Sequence, residues 1–145
     1  MSKQTPDHGD AELALKVYDL RREAVMRASR DAVIAKFLPR TFEELIAITK
    51  PDHPMNAAWR QVTTYWEMVY AMVKHGIVHP EYFLESNGEG LLVYARVVEH
   101  LAAYRNATSK FAFLNAEWVA NNTERGKSFV PLFQKRFHAQ IGRAG

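Results

Sequence analysis

A carboxylate set among aromatic and aliphatic residues is a candidate acid or base, because an apolar setting shifts its pKa. Glu67 is such a group: it interrupts the run Tyr65–Val73, the most apolar stretch of the chain. A buried carboxylate needs a partner, since an unpaired buried charge is very costly. Arg60, Arg96 and Arg105 are the candidate cations. Arg105 closes a helix whose apolar stripe should pack on the segment holding Glu67, and its planar guanidinium can meet a carboxylate with two hydrogen bonds. The expectation is a buried Glu67–Arg105 ion pair. Trp66, Tyr70 and Tyr94 are the side chains expected to line a pocket beside Glu67, in which a small ligand or substrate would sit.

Other chemistries lack their residues. There is no Cys, which removes disulfides, thiol catalysis and Cys-ligated metals. No Glu is followed three residues later by His, so the di-iron pattern of helical bundles is missing. His75 and His79 are four apart, but Gly76 and Pro80 break the helix that would align them. Either His75 or His100 has the residue type for a haem ligand, yet no haem pocket can be aligned around them. Asn87-Gly88-Glu89-Gly90 lacks the glycines, the strand and the Gly-Lys-Ser/Thr of a phosphate loop. No catalytic residue, metal ligand or cofactor is therefore assigned.

Residues 100–145 hold seven Lys/Arg against two Asp/Glu, whereas residues 41–99 are net acidic. In that basic third Lys127, Lys135 and Arg136 alternate with Phe129 and Phe137, a composition that can track a nucleic-acid backbone. The same residues also read as an amphipathic helix with a solvated basic side.

These groups must be held by helices, because no segment shows the two-residue alternation of a strand. Residues 1–9 read as a disordered tail. A single helical domain is expected over residues 10–141. Asp10 is a candidate N-cap for a helix from Ala11, whose stripe Leu13, Val17, Leu20, Ala24 extends toward Pro39 with a possible break at Ser29. Thr41 and Glu44 form a capping box, and residues 50–54 a loop. From Pro54 nothing breaks the chain before Gly76, so a central helix is expected at about residues 55–75. Short helices follow: one after Pro80, one over residues 90–105, one capped by Thr108 or Ser109, and a last one from Ser128 after a turn at residues 124–127. The fold class is all-α, a bundle of about six or seven helices.

Tyr65-Trp66-Glu67, then Lys74-His75-Gly76-Ile77-Val78, then Tyr104-Arg105 resemble the pattern of a family of small uncharacterised all-helical bacterial domains. The resemblance covers roughly residues 30–125. It implies a helical fold and supplies no chemistry, because the family has no established activity. Its members often carry an N-terminal membrane segment, but Met1–Asp10 is polar and no window is long and apolar enough to span a bilayer. A cytoplasmic location is the expectation.

The function expected on these grounds is a non-enzymatic interaction or scaffold module that forms a homodimer. Its motive is 17 Phe, Trp and Tyr in 145 residues, more than one small core needs. A nucleic-acid-binding regulator using the basic third, and a ligand binder or enzyme with a pocket near Glu67, stand as the alternatives.

Overall fold

Each helix end leaves backbone N–H or C=O groups without partners, and in this fold charged side chains from other helices meet many of them. In the computed structural model, which describes residues 3–143, the described residues form helices and connecting turns. Nine α-helices follow in order: α1 (His8–Arg21), α2 (Ala24–Asp31), α3 (Phe42–Ala47), α4 (Asn56–Lys74), α5 (Pro80–Leu84), α6 (Glu89–Ala95), α7 (Leu101–Ala107), α8 (Leu114–Asn122) and α9 (Glu124–Gln140). A π turn (Ala32–Lys36) extends α2, and a 3-10 turn (Val98–His100) joins α6 to α7.

The central helix lies where Pro54 and Gly76 put it, and Gly76 takes the left-handed φ of 72° that suits glycine after a helix. Trp59, Val62, Trp66, Val69, Tyr70 and Val73 of α4 are buried. Around α4 pack α2, α6 and α8, with α9 across α6 and α8. Two rings anchor one end of the core: Trp59 meets Phe37 edge-on at 5.2 Å and Phe113 at 6.1 Å.

The helix count exceeds the expected six or seven because two expected helices break. The first stops at Arg21, and Glu23 opens α2 by accepting from the Met26 N–H at 3.0 Å. The span expected as one helix over residues 90–105 divides at Arg96 and passes through the 3-10 turn.

Two helix starts also move. Helix α1 begins at His8, capped by Asp7 rather than Asp10, so residues 8 and 9 of the expected tail are helical. Met1 and Ser2 of that tail lie outside the described residues. Asp10 is the third helical residue: its carboxylate accepts from the Asp7 N–H at 2.8 Å and, across the fold, from the His79 N–H at 2.8 Å. The turn expected at residues 124–127 is the first turn of α9. There Thr123 Oγ1 accepts from Gly126 N at 2.9 Å, and the Glu81 carboxylate accepts from Glu124 N and Arg125 N. Gly126 is required where α9 leaves α8, because a Cβ there would lie 2.1 Å from the Val119 carbonyl oxygen.

Candidate functional site

Helix α8 cannot cap itself. Its N-cap residue, Phe113, sits in the left-handed region at φ 59° and has no side-chain oxygen to offer. Residues 108–113 connect α7 to α8 through a turn over 110–113, so the start at Thr108 or Ser109 expected from sequence is replaced by a start at Leu114.

Glu67 meets the α8 N-terminus from α4. One carboxylate oxygen accepts from Asn115 N at 2.9 Å and the other from Ala116 N at 2.8 Å. The Asn115 side-chain amide donates back to the Glu67 carbonyl oxygen at 2.9 Å. A carboxylate at a helix N-terminus also gains from the positive end of the helix dipole. Burial pushes the Glu67 carboxyl above its ordinary pKa, against the opposing pull of the two N–H groups and of the Arg105 charge.

Arg105 is not the direct partner. Its Nη2 meets Glu117 Oε1 at 3.1 Å, and its Nε donates to the Ala112 carbonyl at 2.9 Å. The expected Glu67–Arg105 ion pair is therefore replaced by two separate arrangements. Glu67 binds the start of α8, while Arg105 ties the turn before α8 to Glu117. Backbone N–H groups satisfy a carboxylate without the cost of burying a second charge.

A depression of about 260 Å³ does open beside Glu67, but other residues line it: Thr63, Thr64, Tyr104, Ser109, Phe111 and Phe113. Trp66, Tyr70 and Tyr94 are buried core side chains and are not among its walls. Trp66 Nε1 donates to Glu89 Oε2 at 3.3 Å, and Glu89 is itself paired with Arg30 at 2.8 Å. The Tyr70 hydroxyl donates to the Asn87 carbonyl at 2.8 Å and accepts from Leu91 N at 3.1 Å. Tyr94 packs against the Phe113 ring at 6.2 Å.

Each hydroxyl around the depression already has a hydrogen-bond partner. The hydroxyls of Thr63 and Thr64 donate to the Trp59 and Arg60 carbonyls one turn back. The Tyr104 hydroxyl accepts from Trp59 Nε1 at 2.9 Å, and Ser109 Oγ accepts from Phe111 N at 3.1 Å. General acid–base chemistry needs a group poised on a reacting atom. Here Glu67 has both oxygens bound to α8, so the arrangement fixes a helix start.

Lys127, Lys135 and Arg136 do not share one face of α9. Lys127 and Arg136 are nine residues apart, about half a revolution on a helix of 3.6 residues per turn. Lys127 lies 3.7 Å from Glu124, whereas Arg136 stacks its guanidinium over Phe133 at 5.8 Å.

Sequence reasoning named Arg96 only as a candidate cation for Glu67, and the structure gives this buried charge other partners. Arg96 enters the core at the end of α6, and its guanidinium donates to three carbonyls: Val33 at 2.9 Å, Phe37 at 2.8 Å and Ile34 at 2.8 Å. These carbonyls stand in the π turn and just after it, where Pro39 ahead supplies no N–H. Burial lowers the Arg96 pKa to about 10, so it keeps its charge at neutral pH. The available signal was Pro39 following a run with no capping residue.

Residues 6–123 match the model of a Domain of unknown function (DUF4760). The chain belongs to this family. The DUF4760 region takes in α1 through α8 and so contains Asp10, Glu67, Arg96 and Arg105, and it begins well before residue 30, where the resemblance started. Helix α9 lies outside it. No curated protein and no solved structure matches the chain. No helix among the described residues is long and apolar enough to cross a membrane.

Proposed function

We propose that the protein is a non-enzymatic helical interaction module that pairs with a second copy of itself through the outer face of α1 and the start of α2. The observation that carries this reading is a set of exposed apolar side chains. Leu15 is 69% exposed, Tyr18 50%, Leu20 40% and Val25 60%. Leu13, Ala14 and Val17 of the same helix pack on the core. Helix α1 thus carries exposed apolar side chains among the charges of its outer side, besides those it packs on the core, which a helix resting singly on a domain does not need.

The charges around this face support a like partner. Glu12, Lys16, Asp19, Arg22 and Glu23 are exposed and interleave both signs. In a two-fold contact each cation can meet an acid of the copy. The aromatic surplus that suggested an interface from sequence is mostly spent inside, since only Tyr18 and Phe111 are aromatic among the large exposed apolar residues. The interface therefore rests on Leu15, Tyr18 and Val25. The nucleic-acid reading has less support, because its three basic residues diverge around α9.

Sedimentation of the full chain across a concentration series tests this reading. Dimer is expected, and the double variant Leu15→Lys, Tyr18→Ser should sediment as monomer with an unchanged helical spectrum. A wild-type monomer at about 100 μM, where even a weak specific dimer with a Kd in the micromolar range would be populated, overturns it.

A further inference from the structure

We propose that the cleft between α9 and the Arg96 end of α6 binds a small organic carboxylate with an apolar body, such as a single ring or a short chain. This site is independent of the α1 face.

The cleft encloses about 220 Å³ and has two kinds of wall. Ile34, Leu92, Phe133 and Phe137 supply an apolar lining, and Arg96 and Arg136 supply positive charge. Arg96 is 4% exposed and forms no ion pair with a carboxylate among the described residues. Three of the five N–H donors of an arginine are used on carbonyls here, which satisfies hydrogen bonds but leaves a full positive charge without an acid. The acid whose field reaches Arg96 is Glu89, and Arg30 holds it through two bonds of 2.8 Å.

Arg136 adds a second guanidinium at the mouth, with no acid partner among the described residues. It lies over the Phe133 ring, so the stack pre-places a planar donor beside an apolar wall. Gln140, one turn further along α9, adds an amide to the same rim.

The chemistry of the ligand follows from these walls. Two guanidinium groups select an anion, and a carboxylate matches their planar forks. Four apolar side chains reject a bare inorganic ion, which would leave them wet. A dry apolar cavity of about 150 Å³ holds benzene, so 220 Å³ suits one ring with a carboxylate and excludes a long lipid chain. The cleft joins α9 to the DUF4760 region, so an occupant would also staple the last helix onto the domain.

Titration of the full chain with benzoate, read by NMR shifts and by thermal melting, tests this. Saturable binding with a Kd on the order of 1 mM or tighter is expected, with shifts centred on Leu92, Phe133 and Phe137. Benzyl alcohol, the neutral isostere, should bind at least about tenfold more weakly. Arg136→Gln should weaken benzoate at least about tenfold, and Leu92→Trp, which fills the cleft, should abolish binding. Arg136 is exposed, so its variant keeps the fold. The proposal is overturned if benzoate does not saturate, if the alcohol binds equally well, or if both variants bind like the wild type. Inorganic phosphate binding as tightly as benzoate would also overturn it, since the apolar walls would then contribute nothing.

Discussion

Glu67 and Arg96 are charges of opposite sign placed in the same difficulty and relieved by the same means. Each is drawn out of water, and burial pushes each toward its neutral form, Glu67 upward and Arg96 down to about 10. Neither is met by an opposite charge. Glu67 faces two N–H groups at the start of α8, and Arg96 faces three C=O groups at the end of the π turn. A helix end offers several aligned partial charges at no desolvation cost beyond that of the ion itself. The difference lies in what is left over. Both oxygens of Glu67 are engaged, whereas Arg96 keeps its charge and faces a cleft. The half-buried Glu67 has become architecture, and the buried Arg96 keeps a charge in the wall of a cleft.

The largest expected effect is at Arg96. Arg96→Met keeps much of the apolar stem but removes the donors from three carbonyls inside the fold. The Val33 carbonyl keeps the Phe37 N–H at 3.1 Å, so those of Ile34 and Phe37 lose their donor. Each buried group left without a partner costs about 1–3 kcal/mol, and a loss of roughly 2 kcal/mol or more is expected in urea unfolding. That is a large part of the 5–15 kcal/mol typical of a domain. A loss under about 1 kcal/mol would mean that the π turn satisfies its own carbonyls, and the likeness to Glu67 would fail.

Glu67→Gln should cost less, about 1–3 kcal/mol, because the amide oxygen can still accept one of the two N–H bonds. Hydrogen exchange should place the damage at Asn115 and Ala116, where protection falls while α6 stays protected. Uniform loss of protection would show that Glu67 supports the core generally and not the start of α8.

Asp10 sharpens the comparison through pH. It too caps backbone N–H groups from a buried position, but its shift is opposite to that of Glu67. Burial pushes its carboxyl up, yet the bonds from Asp7 and His79 and the Lys3 ammonium outweigh burial and hold it below its ordinary 3.8. A carboxyl bound more weakly by protons in the folded state adds stability above the unfolded pKa and loses it as pH falls through the folded one. Glu67, raised instead, favours the fold below its ordinary value and loses that contribution as pH rises through its folded pKa. In thermal melts, the deficit of Asp10→Asn should be widest near neutral pH and close as pH drops below about 3.8. A deficit that stays constant to acid pH would remove the Asp10 charge from the account.

How much of this was legible in the sequence depended on which partner a residue uses. The central helix was legible because side-chain periodicity and flanking punctuation, Pro54 and Gly76, mark it directly. The expected span of residues 55–75 differs from Asn56–Lys74 only at its ends. The Thr41 cap was legible for the same reason, and Thr41 Oγ1 accepts from Glu44 N at 3.1 Å. Its reciprocal half shifts by one residue, since the Glu44 carboxylate takes the Arg40 N–H instead. The start of α8 was not legible, because nothing in the identity of Phe113 announces a left-handed backbone. That omission propagated to the site. With Thr108 or Ser109 read as the cap, α8 needed no carboxylate, and Glu67 was left to an arginine. Backbone donors and acceptors carry no letter of their own, so a charge they satisfy looks unpartnered in sequence.

The smallest expected effect is the coupling between Glu67 and Arg105, and it separates these two accounts. A buried ion pair would make the two residues strongly interdependent: removing either would strand the other, and removing both would recover part of the loss. The structure instead gives each its own partners. Glu67 holds Asn115 and Ala116, and Arg105 holds Glu117 and the Ala112 carbonyl. Arg105 still reaches Glu67 through its field. That field acts through a partly exposed guanidinium, whose interactions are weakened by solvent. Glu67→Gln and Arg105→Met should therefore destabilise separately, the second by about 1 kcal/mol, and the double variant should fall within roughly 0.5 kcal/mol of their sum. Urea unfolding of the wild type, both single variants and the double variant closes the cycle. A coupling above about 1.5 kcal/mol would bring back the direct pair, and the two N–H bonds from α8 would then be a secondary feature of Glu67.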